Sequence, residues 1–492
     1  MRRLAAAVAV AAAGAAVALA ANERPDPATQ AEADGCKRDV VAIVKREAPN
    51  WVYVGDRSAP ADTASPAPRW LRGVVDGGPL PDFGAYPTVI DQPTTHTSYD
   101  FVVNVKPDAQ DEYLMGGDSV AKTGNFRGAD DETGRVHTER ESSYTPAWVW
   151  PDRGDRVTML GSWAWDCDHF EPAGEHTEFH PWRALWLERR PGRASPTSPR
   201  GEAEGDLLVS SDATPAGRQE ECAHLTKADP AAFKACVTGP KPSLDVNGDY
   251  AFTVRAPPRP PGAKRLVVRV VDRGSVHAPP VSTRAHGGTV DVRFRIAARP
   301  GDRVVVAKKV YAGWTPMPAR LLPLPVRLTV ERVLVRRAMD PSTAQESTRP
   351  NQNTTAPGEF VFYWNVAGVW ARFPRTVLAR DGQMLPLRQT IDAWLARGEP
   401  FRFFAVAREC DFGAVGNADG PGRPVWPCPR ANEVGNFVGD DGPGVVVARF
   451  ASPRAAAGRR SANAGFTKSS CPASNRSGCY RLTWSVRVGS RP

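Results

Sequence analysis

Apolar and polar positions alternate along much of this chain, with the period of a β-strand rather than of a helix. Trp70-Leu71-Arg72-Gly73-Val74-Val75 reads as a strand whose glycine permits sharp curvature. Asp100 to Val105 is a second strand, and Glu112 to Met115 and Val136 to Glu141 are weaker ones. Val157 to Trp165 is strong and follows the turn Asp152-Arg153-Gly154-Asp155; Thr177 to Leu187 ends the unit. Short strands after a bent first strand predict a small closed barrel of the OB type over 66–190, with a short sandwich as competitor.

Ala251 to Val254, Arg265 to Val271, Val290 to Ile296 and Arg303 to Val310 have the spacing of an Ig-like sandwich over 241–325. Val326 to Val335, Phe360 to Trp370, Arg402 to Ala407, Val445 to Phe450 and Tyr480 to Val488 predict a C2-like or jelly-roll sandwich over 326–492. Ile391 to Ala396 fits a hairpin that turns through Arg397-Gly398-Glu399-Pro400. The aromatic side chains of Phe362, Tyr363 and Trp364 are read as core filling, with a carbohydrate platform as the alternative. The expected fold class is mainly β, with tandem β-domains and few short helices.

Between these units, Arg190 to Gly217 is rich in Pro, Ser, Arg and Gly and reads as a linker. The wider span 191–240 adds a short helix opened by Asp229-Pro230. Residues 21–65 form a partly irregular lead-in, with one short helix from Cys36 to Glu47.

The N-terminus changes the picture. Met1-Arg2-Arg3 precedes an uncharged run to Leu19, and Ala18-Leu19-Ala20 is an A-x-A cleavage signal. Residues 1–20 are therefore expected to be a secretory signal peptide, and the processed protein to be secreted without a membrane span. An exported chain with eight cysteines is expected to hold disulfides. Proximity pairs Cys222 with Cys236, Cys410 with Cys428 and Cys471 with Cys479, which leaves Cys36 with Cys167. The formal charge of +9 comes mostly from arginine. Arginine-rich usage also follows from a GC-rich genome, so the charge gives little weight to a polyanion partner; export argues against nucleic acid and would leave acidic envelope polymers as the polyanion to expect.

One segment is dense in candidate chemistry. Gly161-Ser-Trp-Ala-Trp-Asp-Cys-Asp-His169 is followed by Glu175-His-Thr-Glu-Phe-His180-Pro181. Side chains alternate along a strand, so His176, Glu178 and His180 would share a face. Asp166 and Asp168 would share one on the preceding strand, and Asp168 or His169 could complete a shell for zinc or calcium. The same residues also suit a structural hydrogen-bond network. His-x-Glu-x-His is not the helical H-E-x-x-H spacing of metalloproteases. Asp245-Val-Asn-Gly-Asp249 reads as a turn, as do Asp440-Asp441 and Asp411. No G-x-S-x-G or Walker A motif occurs, and no dinucleotide G-x-G-x-x-G is evident.

The stretch Gly154-Asp-Arg-Val-Thr-Met-Leu-Gly-Ser-Trp-Ala-Trp-Asp-Cys-Asp-His169, with Thr177-Glu-Phe-His-Pro181, resembles a segment that recurs in uncharacterised secreted actinobacterial proteins. The resemblance is clearest from Tyr99 to Leu187 and implies compartment and lineage, with no activity attached. The expected function is an exported, non-catalytic binding protein of the bacterial envelope or surroundings, with a glycan or protein ligand. The alternatives are a metal-dependent hydrolase built on Asp166, Asp168, His169, His176, Glu178 and His180, and a structural cell-surface interaction protein. The residues alone leave open whether it is an enzyme.

Overall fold

A computed structural model describes residues 51–54, 68–77, 85–87, 101–116, 125, 134–140, 145–166, 177–212, 244–337, 358–374, 377–410, 431–433, 445–464 and 479–489. The chain is mainly β. Its first strands are β1 (Trp51–Tyr53), β2 (Arg69–Gly77), β3 (Ala85–Pro87), β4 (Phe101–Pro107), β5 (Val136–Thr138), β6 (Arg156–Asp166), β7 (Thr177–Arg189) and β8 (Ala203–Ser210).

Strands β2, β4, β5, β7 and β6 pair in that order, and β6 pairs back to both β7 and β2. That closes a five-stranded barrel, in which only β5 and β7 run parallel. This is the arrangement expected of an OB-type barrel. Gly73 sits where β2 crosses close to β4: a Cβ there would lie 2.2 Å from the Lys106 carbonyl oxygen. Leu71, Val75, Val103, Val105, Val136, Phe179, Trp182, Leu185 and Leu187 belong to one buried core.

The next strands are β9 (Gly248–Arg255), β10 (Arg265–Asp272), β11 (Ser282–His286), β12 (Thr289–Ile296) and β13 (Val305–Thr315). Strands β9, β12 and β11 form one sheet, whereas β10 and β13 extend the barrel sheet through β8. The two sheets pack through Trp186, Leu207, Val209 and Val310 against Tyr250, Phe252, Val292 and Phe294. Residues 203–210, read from sequence as part of a linker, are thus a fully buried strand at the junction. Their Glu, Gly and Asp look like linker residues, but the Glu204 and Asp206 carboxylates meet buried cations on neighbouring strands. The short strand Ser282–His286 is exposed along its whole length, so no apolar alternation announced it.

The last region contains β14 (Leu324–Arg337), β15 (Gly358–Val366), β16 (Val369–Arg372), β17 (Val377–Ala379), β18 (Met384–Leu395), β19 (Phe401–Cys410), β20 (Ala431–Glu433), β21 (Val445–Phe450), β22 (Gly458–Ala464) and β23 (Cys479–Val488). One sheet has the order β18-β14-β23-β22; the other is built around β15 and β19. Their facing apolar side chains make a sandwich core that includes Phe362 and Trp364, while Tyr363 points the other way into the barrel-side core. The core-filling reading of these aromatics holds.

Three local expectations need correction. Glu112–Met115 is a 3-10 helix, not a strand, closed by Gly116 in a left-handed conformation. Phe360 to Trp370 is not one strand but a hairpin that turns at Ala367-Gly368, where both residues have positive φ. Strands β18 and β19 do not form a hairpin: β18 pairs with β14 and β19 with β15, so the turn after Leu395 crosses from one sheet to the other. Apolar positions on β18 cover the facing sheet, and lateral pairing goes to whichever neighbour completes the layer.

The helices expected at 36–47 and 229–236 and the turn at Asp411 and Asp440-Asp441 lie outside the described residues, as does the signal segment. Cys479 is disulfide-bonded. The side chains of the other cysteines lie outside the described residues, so the expected pairings are not described. No described helix is long and apolar enough to cross a membrane.

Candidate metal centre

The centre is built from a row of residues across the barrel wall. Asn104 on β4 is the register partner of His137 on β5. His137 is in turn the register partner of Glu178 on β7. Val103, Val105, Val136 and Phe179 flank these residues and point into the apolar core. Alternation therefore turns Asn104, His137 and Glu178 to the opposite face of the wall, in one line. Glu139 follows two residues after His137, and His180 two after Glu178, so each strand contributes two polar groups to the same face.

Strand β5 has only three residues, and local bonds fix its position. Thr138 Oγ1 donates to the Val103 carbonyl (2.7 Å). The Glu139 N–H donates to the Phe179 carbonyl (2.9 Å), and the Glu139 carbonyl accepts from the Trp182 N–H (3.2 Å). Arg140 Nη1 donates to the Trp182 carbonyl (3.0 Å), and its guanidinium lies 4.7 Å from the Trp182 ring centroid. Arg140 is thereby held against Trp182.

The functional atoms converge. His137 Nε2 lies 2.7 Å from Glu139 Oε1. His180 Nδ1 lies 3.1 Å from Glu139 Oε2 and 3.4 Å from Glu178 Oε1. Donor atoms of His137, Glu139 and Glu178 all fall within 4.8 Å of one another. All four side chains are at most 1% exposed.

Two carboxylates this close and this deeply buried are stabilised by a held proton or by positive charge nearby. Two imidazolium protons supply it, and so does one divalent cation bound by neutral imidazoles. Asn104 Oδ1 accepts a hydrogen bond from His137 Nδ1–H (2.8 Å). That bond leaves the Nε2 lone pair facing the cluster, as a metal-binding histidine requires. Without a metal, a proton must lie between Nε2 and Glu139 Oε1. One imidazole nitrogen and two carboxylates form the mutually close set, with His180 against both carboxylates; the nitrogen donors suit zinc better than calcium, which takes six to eight oxygens.

Of the residues singled out from sequence, Glu178 and His180 come together here. Asp166 ends β6, where its backbone pairs with Trp51, and its side chain is not among those described. Asp168, His169 and His176 lie outside the described residues. The partners of Glu178 and His180 are His137 and Glu139, which sequence reasoning passed over. A signal was present: His137-x-Glu139 repeats the His176-x-Glu178 spacing on a second extended segment. What the spacing withholds is that β5 lies parallel beside β7.

No family model matches this chain, and no curated protein matches it. Among solved structures, the chain is similar to a fragment of extended synaptotagmin 2 that comprises its SMP domain and two C2 domains, with 8% identity, 86% of this chain and 90% of that chain covered, and a TM-score of 0.20.

Proposed function

We propose that this is an exported, non-catalytic binding protein whose barrel is locked by one buried divalent cation, with zinc the best-fitting ion. The observation that carries the metal is the convergence of His137, Glu139 and Glu178 from two parallel strands into one buried group, with His180 against both carboxylates. The donor set suits zinc.

The burial also separates structure from catalysis. A catalytic zinc keeps one coordination position open to water and substrate. Four donor side chains exposed by no more than 1% leave the cluster closed on the protein side. This favours a structural centre over the metal-dependent hydrolase. The binding role itself is supported by the tandem β-modules, which present long sheet faces and loop clefts.

Elemental analysis of the purified full chain, with thermal unfolding before and after chelator, tests the centre. The expected result is one equivalent of zinc and a lower, metal-restorable melting temperature after chelation. Absence of stoichiometric metal together with a chelator-insensitive melt would leave a proton-bridged His–Glu network instead. Metal-dependent turnover of ester or phosphoester substrates would restore the hydrolase reading.

A further inference from the structure

The sandwich that follows the barrel carries an open cleft of about 820 Å³. That volume is in the range of ligand sites. The cleft lies between the turn joining β11 to β12 and the segment leading from β9 to β10. Its lining includes Arg255, Arg259, Lys264, Arg265 and His286, and no Asp or Glu. The floor is apolar, made by Trp314 with Leu266 and Ala285.

One wall is already set in place. Arg259 donates from Nε and Nη2 to the Ala263 carbonyl (2.9 and 2.6 Å) and lies 5.3 Å from the Trp314 ring centroid. Trp314 Nε1–H donates to the Pro257 carbonyl (2.7 Å). Pro257, Pro258, Pro260 and Pro261 stiffen the segment between these contacts. The opposite wall turns at Gly287 and Gly288, both with positive φ.

Four permanent positive charges line one cleft with no acid in its lining, Glu188 lying behind Arg255 and Asp291 beside His286, and their field acts on whatever enters. Guanidinium groups pair best with planar carboxylates or with phosphates. A nucleic acid strand would seek aromatic platforms for its bases. Here there is a single indole, and the Arg259 guanidinium lies 5.3 Å from its ring centroid. Recognition is therefore left to charge. We infer that the cleft binds a carboxylate-bearing glycan segment, which gives a ligand class to the binding role proposed above and rests on that reading.

A second cationic surface provides the control. Arg332, Arg459, Arg460 and Arg481 line a smaller depression of about 360 Å³ on the outer face of the β14–β23–β22 sheet. There Arg459 is already paired with Glu331 (2.8 Å).

The test is calorimetric titration of the full chain with an oligogalacturonate. The same oligomer with its carboxyls reduced and a single-stranded oligonucleotide of equal charge are the comparison ligands. The oligogalacturonate is expected to bind and to weaken as salt rises, and the reduced oligomer to give no heat. Arg255→Ala with Arg265→Ala is expected to lower affinity at least tenfold, and Lys264→Glu to lower it as well. Arg332→Ala with Arg481→Ala is expected to leave it unchanged. All variants should keep the wild-type melt and its response to chelator, which separates this site from the metal centre. No binding of the oligogalacturonate, or equal binding of the oligonucleotide, overturns the assignment. Loss of affinity only in the Arg332/Arg481 variant also overturns it, while leaving a glycan-binding protein in place.

Discussion

Two buried clusters in this molecule face the same electrostatic problem and answer it differently. On the barrel wall, Glu139 and Glu178 meet two imidazoles. One strand further along the sheet, Glu204 and Asp206 on β8 meet Arg189 from β7 and Lys309 from β13. Arg189 also donates to the Trp148, Trp150 and Gly368 carbonyls, which ties the barrel to the β15–β16 hairpin. The second cluster carries its own permanent cations. In the first, the described partners of the carboxylates are imidazoles. Among the described partners, permanent cations fill the second cluster, whereas the first offers imidazole nitrogens, which makes it the candidate ligand site.

The largest expected effect breaks the permanent cluster. Arg189→Met removes one cation and three carbonyl contacts, and leaves Lys309 alone against two carboxylates. Truncating one side of a buried charge pair costs about 3–5 kcal/mol. Denaturant titration should show a loss of that order whether or not chelator is present. An equal loss only in the metal-loaded protein would show that the two clusters are not independent.

The next effect is one of pH. Burial and the charge of Glu204 push Asp206 up to about 7, although Lys309 and Arg189 oppose the shift. Burial also acts to raise Glu204, but Lys309 and Arg189 outweigh it and hold Glu204 below the ordinary carboxylate range. A raised acid binds its proton more tightly in the folded state. The contribution of Asp206 is therefore complete below about pH 4 and is lost as pH rises through about 7. Glu204 has the opposite sign: its contribution is present above its unfolded value and is lost as pH falls. Asp206→Asn is expected to flatten the stability profile between pH 4 and 7 by a few kcal/mol. Urea midpoints of both proteins at pH 5 and pH 8 would measure it, and parallel profiles would remove Asp206 as the titrating group.

The metal centre should tilt the other way. Imidazoles bind metal only when neutral, and their reference pKa is about 6.5. The chelator-sensitive part of stability should therefore shrink below about pH 6. At a free zinc concentration a hundredfold above the dissociation constant, the ion adds about 2.7 kcal/mol. His137→Ala with His180→Ala should abolish that increment and the bound metal together. Retained zinc in this variant would relocate the centre.

The smallest effect isolates the protein groups from the ion. In chelator, His180→Ala takes one partner from two buried carboxylates and should cost about 1–3 kcal/mol. A much larger loss under those conditions would show that the His180 imidazole acts as a charged partner of Glu139 and Glu178.

Strand alternation by itself determined where most β-strands lie and that Phe362 and Trp364 fill a core. These are properties of single segments, because the twofold period of side chains is built into an extended backbone. The density of His and Glu after Gly161 also marked Glu178 and His180 as candidate ligands. Tertiary structure decided the rest. It brought His137 and Glu139 to them through a parallel pairing, which requires a long crossover and leaves no local trace. It made Ala203–Ser210 a buried strand, since Glu204 and Asp206 are tolerable there only beside Arg189 and Lys309. It sent β18 and β19 to different sheets, although the turn between them is short enough for a hairpin. Periodicity reports which face of a strand is dry. Which strand lies next to it depends on charge balance and packing summed over the whole molecule.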